Sequence, residues 1–200
     1  MASDSVRDAP AVRLDAAELA DLLCLRDTAA GAISRRALGI AVEPGRSGRE
    51  SLAARGLWRE RNGMGLPSGP AITVGDTLTA AVGWLRIGTS EVPVATIVIG
   101  PEHTLLLAAL GDGAQEIATL RVDADVAEVT AGICRHLAHA TDAQVQVHLV
   151  GLDATATPRE RVVTVLDGAF EDDGAGKEGA AGDGDAAGDD AGLTRSLRAA

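Results

Sequence analysis

Cys134, His136 and His139 are side chains of the types that bind transition metals, and their C-x-H-x-x-H spacing falls on one predicted helix. Imidazoles three residues apart share a helix face and can reach a common ion. Cys134 stands two positions before His136, about 200° around the helix at ~100° per residue, and so points away from the pair. A closed structural zinc site takes four ligands, and no second Cys or His pair lies nearby in the sequence. The stretch reads as architecture, with the thiol inward and the histidines at the rim near the helix C-terminus, where cations are favoured. Cys24 sits in a similar helical apolar pattern. Both cysteines read as buried, inert thiols, because free Cys behaves as a small hydrophobe. No metal or cofactor is expected.

Nucleophilic and phosphate chemistry find no better footing. There is no G-x-S-x-G elbow and serine is sparse. The glycines of GLPSGPAITVG and GDGAQ lack the Lys-Ser/Thr of a P-loop and the ordered spacing of a dinucleotide fingerprint. Asp112-Gly113 reads as a hairpin turn in preference to a cation loop, and Lys177 in GAGKEG is not followed by Ser or Thr. No enzyme is expected.

Positive charge does gather. Residues 35–61 hold Arg35, Arg36, Arg46, Arg49, Arg55, Arg59 and Arg61 against Glu43, Glu50 and Glu60, a net of +4. Such arginines serve DNA phosphates or steer an acidic protein partner from an interface rim. They also fit a solvated helix face paired to local glutamates, or a dock for the chain's own acidic end. Arg49, Arg55, Arg59 and Arg61 are the candidate partner-binding residues.

A helix running into a ribbon must position them. In SGRESLAARG, Ser47 and Glu50 have capping-box spacing, and Gly56 can stop the helix. LWRERNGMGLP then turns at Asn62-Gly63. This is the outline of a winged helix. Leu52 and Leu57 are expected in the core, Trp58 at least half buried, and Arg55, Arg59 and Arg61 in solvent. Period-2 alternation puts Leu57, Arg59 and Arg61 on one face. Burying Leu57 together with Trp58 therefore requires a twist at the start of the ribbon, which Gly56 permits.

Residues 1–13 read as a loose lead. Asp15, with Glu18 three residues on, caps a helix LDAAELADLLCL, and a second helix is expected around 28–38. After Pro67 and Pro70, Asp76 opens TLTAAVGWLRI, where Leu78, Ala81, Val82 and Leu85 recur at helical spacing. The runs 93–99, 104–110 and 114–122 read as antiparallel strands joined by Gly100-Pro101-Glu102 and Gly111-Asp112-Gly113. Asp125 caps a helix through His139 with Val126, Val129, Ile133 and Leu137 inward, and 144–150 alternates as a strand with one wet face. Thr157-Pro158-Arg159-Glu160 has a helix start's chemistry against a β-branched continuation, and a short helix is favoured.

The expected fold class is α+β: a winged-helix-like segment and further helices packed on a twisted antiparallel sheet of four to five strands. One domain spans 14–167. Only 2% of residues are aromatic, too few for a surface that stacks single-stranded nucleic acid. No apolar run approaches the ~20 residues of a membrane helix, no leader pattern opens the chain, and a soluble cytoplasmic protein is expected. The formal net charge is -11. Residues 167–200 contribute nine acids against three bases, so -6 of that total belongs to this segment and only -5 to the body. Residues 168–200, rich in Gly, Ala and Asp, are expected to be a disordered tail.

The order LDAAELADLL, SLAARGL, an NG-turned ribbon, TLTAAVGWLRI and then hairpin strands ending in a helix resembles the EspG-like chaperones of actinobacterial type VII secretion. The match covers about residues 14–150, and its sharpest piece is Ser51-Leu52-Ala53-Ala54-Arg55-Gly56-Leu57. The resemblance implies a cytosolic, non-catalytic protein that binds secretion substrates, typically helical-hairpin heterodimers. It implies two quasi-symmetric halves in the family, whereas one copy of the unit is visible here, as in a half-size relative or a homodimer. No substrate-contact residue carries over. The partner expected is another protein; the alternative is a winged-helix DNA-binding regulator.

Overall fold

The computed structural model describes residues 11–41, 47–89, 92–141, 144–152, 157–166 and 169–172. The fold is α+β, in two compact units: Met1–Trp84 with Val94–Ala124, and Leu85–Pro93 with the chain from Asp125 onward.

The first unit opens with β1 (Val12–Leu14) and α1 (Ala16–Leu23), followed by α2 (Ala29–Ala37) and α3 (Arg49–Ala54). A two-stranded hairpin, β2 (Trp58–Arg61) and β3 (Met64–Pro67), leads into α4 (Pro70–Ala80). β4 (Gly83–Thr89) begins here, and β5 (Pro93–Ile99), β6 (Thr104–Ala109) and β7 (Gln115–Leu120) complete the unit. Its sheet runs in the order β1-β7-β6-β5, and the pairs β1/β7, β6/β7 and β5/β6 are antiparallel. The three central runs fold as their turn chemistry predicts.

Local chemistry accounts for the helices. Asp15 accepts the Glu18 N–H at 2.8 Å while the Glu18 carboxylate accepts the Asp15 N–H at 3.0 Å, a complete capping box. Thr28 caps α2 by accepting the Gly31 N–H at 2.9 Å. The Thr28 hydroxyl also donates to the Thr79 carbonyl, and Ser34 donates to that of Leu78, each at 2.7 Å. Two carbonyls in the last turn of α4, where a helix has no partners of its own, are thus satisfied by hydroxyls of α2. Trp84, fully buried, donates its indole N–H to the same Ser34 oxygen at 2.9 Å. Leu14, Leu19, Leu22, Leu52, Leu78, Ile97, Leu105 and Leu107 fill the core around this chain of bonds.

The second unit holds the rest of β4, α5 (Val126–Ala140), β8 (Val145–Leu152), β9 (Pro158–Leu166) and β10 (Ala169–Asp172), in the strand order β4-β8-β9-β10. Asp125 caps α5, accepting the Ala127 and Glu128 N–H groups. β8 alternates buried and half-buried positions along its whole length, as its period-2 pattern predicts. Val145 faces Val165 and Val147 faces Val163 across to β9, all four buried.

Several expectations are corrected. The lead is not loose to residue 13, because Val12–Leu14 pairs with β7; residues 1–10 lie outside the described residues. α4 starts at Pro70, with Pro in the first turn behind Gly69, and Asp76 is an exposed mid-helix residue paired with Arg26 at 3.0 Å. Residues 83–89 are a strand: Ala81 turns to extended backbone and the Val82 N–H bonds the Ile99 carbonyl at 2.8 Å. Residues 158–166 are also a strand. Pro is tolerated at a strand's first residue, and the β-branched run prevails over the cap signature. α3 has no capping box, since its N-cap is Gly48. Cys24 is exposed at the end of α1, not buried. On α5 the buried stripe is Thr130, Ala131, Cys134 and Leu137, with Val126, Val129 and Ile133 half-buried. Residues 169–172 form a strand, so the proposed tail starts later than residue 168; residues 173–200 lie outside the described residues.

Candidate protein-binding surface

The hairpin register pairs Trp58 with Pro67, Arg59 with Leu66, Glu60 with Gly65 and Arg61 with Met64. Opposed residues share a face and faces alternate along a strand. One face therefore carries Trp58, Glu60, Gly65 and Pro67, and the other Arg59, Arg61, Met64 and Leu66. The two-residue turn holds Asn62 at φ 55 and Gly63 at φ 74, the left-handed pair that a tight hairpin requires.

The first face anchors. Trp58 is only 6% exposed, and its ring lies against Gly65, where a Cβ would come 2.8 Å from the indole Cε2. The Arg49 guanidinium sits 5.4 Å from the Trp58 ring centroid, in cation–π range. The Ser68 N–H donates to the Leu57 carbonyl at 2.9 Å, and the Ser68 hydroxyl to the Gly56 carbonyl, closing the hairpin's base. Gly56 takes φ 71, and Leu57 and Trp58 are buried together, as the twist at this glycine predicts.

The four candidate arginines divide into two kinds. Arg55 donates to both oxygens of Glu18, at 2.9 and 3.0 Å, and to the Arg13 carbonyl at 2.6 Å. Its outer atoms reach solvent, but it works as a brace. Arg49 donates through Nε to Asp21 at 3.2 Å, and Asp21 also accepts the Gly48 N–H at 2.7 Å and the Ser47 hydroxyl at 2.9 Å. Asp21 thus holds the Gly48 N–H at the start of α3, while the Ser47 hydroxyl accepts the Arg49 N–H at 3.2 Å. Arg59 and Arg61 are exposed, and among the described residues neither has a hydrogen bond or ion pair. All four are exposed, but Arg49 and Arg55 are bound to carboxylates of α1.

Met64 and Leu66, which the charge-led reading passed over, stand beside them at 63% and 46% exposure. The register carried the missing signal: pairing back from Asn62-Gly63 puts both on the arginine face.

Elsewhere, Cys134 is fully buried with its thiol pushed up to about 11 by burial, while His136 and His139 are exposed. Among the described residues no group of three or more His, Cys, Asp or Glu side chains is placed to hold a metal ion. No helix among them is long and apolar enough to cross a membrane. In the second unit, half-buried His148 is held below the ordinary imidazole range by burial first and by the Arg86 charge second, with Glu160 acting the other way. The Arg86 Nε is buried without a hydrogen-bond partner.

No protein-family model matches the chain, and no curated protein matches it in sequence.

Proposed function

We propose that the chain is a non-catalytic protein-recognition module, a cytoplasmic adaptor or chaperone of the EspG-like kind acting in type VII secretion. The observation that carries this reading is the outer face of the β2–β3 hairpin. Two arginines that have no hydrogen bond or ion pair among the described residues stand directly opposite two exposed large apolar side chains, on strands anchored by Trp58 from behind. An interface core wants apolar area with arginine at its margin, and this face offers both in one small patch.

A DNA reader is less well supplied. Of four candidate phosphate contacts, Arg49 and Arg55 are bound to Asp21 and Glu18 within the fold.

The test is capture from the native host on immobilised full chain, read by mass spectrometry, alongside duplex DNA titration at physiological salt. A partner retained by the wild type through repeated washing, with negligible DNA affinity, supports the adaptor. Submicromolar duplex binding with the steep salt slope of phosphate contacts transfers the protein to the regulators.

A further inference from the structure

Arg86 and His148 stand on neighbouring strands of the second unit, β4 and β8. The register of β8 against β9 sets Val162 directly opposite His148, and Glu160 opposite Val150. Opposed residues share a face and faces alternate along a strand. His148, Val150 and Val162, all half-buried, therefore lie together on the face that turns away from buried Val145, Val147 and Leu149. Glu160 is exposed on the same face, while Arg159 and Arg161 fall on the other.

Arg86 is half-buried too, and its Nε is buried without a hydrogen-bond partner. The whole guanidinium has no hydrogen bond or ion pair among the described residues. A buried donor left unmet carries the full cost of its lost hydration, and a partly buried cation without an anion adds to it. Arg49 and Arg55, by contrast, are each matched to a carboxylate. A carboxylate that approaches a guanidinium from the side takes the Nε–H and one Nη–H as a pair. That approach satisfies the buried nitrogen of Arg86; an end-on approach through the two Nη atoms leaves it unmet.

We propose that Arg86 and His148 head a binding site for a small monocarboxylate with an aliphatic body, the carboxylate paired side-on with Arg86 beside His148 and the body resting on Val150 and Val162. The charge count selects this class. Arg86 supplies one positive charge. His148, held below the ordinary imidazole range by burial first and by Arg86 second, is neutral near pH 7, and Glu160 brings a negative charge to the same face. One negative charge on the ligand is therefore matched. The second charge of a phosphate dianion would face Glu160 with no further cation to meet it. A carboxylate alone would leave the two valines half wet, whereas an aliphatic body covers them. The site is separate from the hairpin and does not depend on the adaptor reading.

Isothermal titration and histidine-resolved NMR on the full chain test this with isovalerate, its uncharged counterpart isovaleramide, and inorganic phosphate. The His148 resonance is identified by its absence from His148→Gln. Isovalerate is expected to bind with a dissociation constant of about 1 mM or tighter, in the range open to so small a ligand. It should bind at least about tenfold more tightly than either of the other probes, as a charge-assisted pair requires. Bound carboxylate offsets the Arg86 charge, so the His148 pKa should rise toward its ordinary value, with Glu160 acting in the same direction. Arg86→Met should abolish both the binding and the rise. Because Arg86 has no partner among the described residues to lose, this variant should keep the wild-type thermal midpoint. Arg86→Lys serves if it does not: the charge stays but the paired donors go, and binding should weaken at least about threefold. Val150→Thr, matched in shape, should weaken isovalerate and leave acetate unchanged. No detectable isovalerate binding, equal affinity for isovaleramide, tighter binding of phosphate, an unmoved His148 pKa at saturation, or binding unchanged by the Arg86 variants would each overturn the inference. Displacement of isovalerate by an equal concentration of a peptide of residues 171–192 would overturn it as well, assigning the site to the chain's own acidic segment.

Discussion

Arg55 reaches across 37 residues of sequence to place one guanidinium nitrogen 2.9 and 3.0 Å from the two oxygens of Glu18. Glu18 is 2% exposed, and its carboxylate also takes the Ser51 hydroxyl at 2.7 Å and the Asp15 N–H at 3.0 Å. One side chain thus completes the cap of α1 and ties α1 to α3.

Removing Arg55 leaves a buried carboxylate short of its cation. Because the Arg55 side chain is 40% exposed, the loss should fall below that of a fully buried pair: Arg55→Ala is expected to destabilise by ~1–3 kcal/mol. Arg59→Ala, on a solvent face, should stay within about 0.5 kcal/mol. Urea denaturation of the two variants side by side checks the ranking, and equal effects would refute the division of the arginines.

Two glycine substitutions should move stability in opposite directions. A Cβ at Gly48 would lie 2.5 Å from the Glu18 Cα, against backbone that cannot swing aside. Gly48→Ala is expected to destabilise by ~1–3 kcal/mol or more, as overpacking does. Gly132, exposed within α5, has nothing within 4 Å of its would-be Cβ. Gly132→Ala should stabilise by ~0.5–1 kcal/mol through helix propensity and a less flexible unfolded chain. Thermal midpoints of the pair give the test.

The two thiols should be chemically distinct. Cys24 is exposed, whereas Cys134 is buried with its titration pushed up to about 11, and the thiolate is the reacting species. At mildly alkaline pH a disulfide reagent should modify Cys24 promptly in the native protein and reach Cys134 only after denaturant is added. Rapid native-state modification of both would contradict the burial of Cys134.

His148 predicts an acid-side loss of stability. Its folded-state pKa lies below its unfolded value, through burial and Arg86 with Glu160 opposing. As pH falls, the unfolded chain takes up this proton first, so stability present above about pH 6.5 declines toward the lower folded-state value. His148→Gln should give a shallower fall in thermal midpoint between about pH 7.5 and 5. An unchanged slope would assign the acid sensitivity to other groups.

The sequence was most readable where a local rule and the tertiary environment agreed. Asp15/Glu18, Thr28, Asn62-Gly63 and Asp125 all do what their side chains favour locally. The 93–122 hairpins follow their glycine turns. It misled where a local pattern had two solutions. Leu78, Ala81 and Leu85 are all buried, but a helix ending at Ala80 and a strand starting at Gly83 bury them as well as one long helix would. Pro158 fits a helix start or a strand start equally, and pairing with β8 decides. Arg49 and Arg55 were legible as charges but not as braces, because Asp21 and Glu18 lie 28 and 37 residues away. Gly48 illustrates the same limit: its lack of a side chain matters only through the backbone of α1, which no local window contains.

Anchoring and presentation occupy opposite faces of the same two short strands. Residues 59, 61, 64 and 66 can be rewritten while Trp58, Gly65 and Pro67 stay in place, so what the ribbon recognises can diverge without renegotiating how the domain folds. Length is the exception. A single residue inserted into β2 between the turn and these positions would shift that strand by one against β3, turning Trp58 outward and the arginines in. Lineages carrying this hairpin should therefore vary freely in the composition of its outer face while holding its residue count constant.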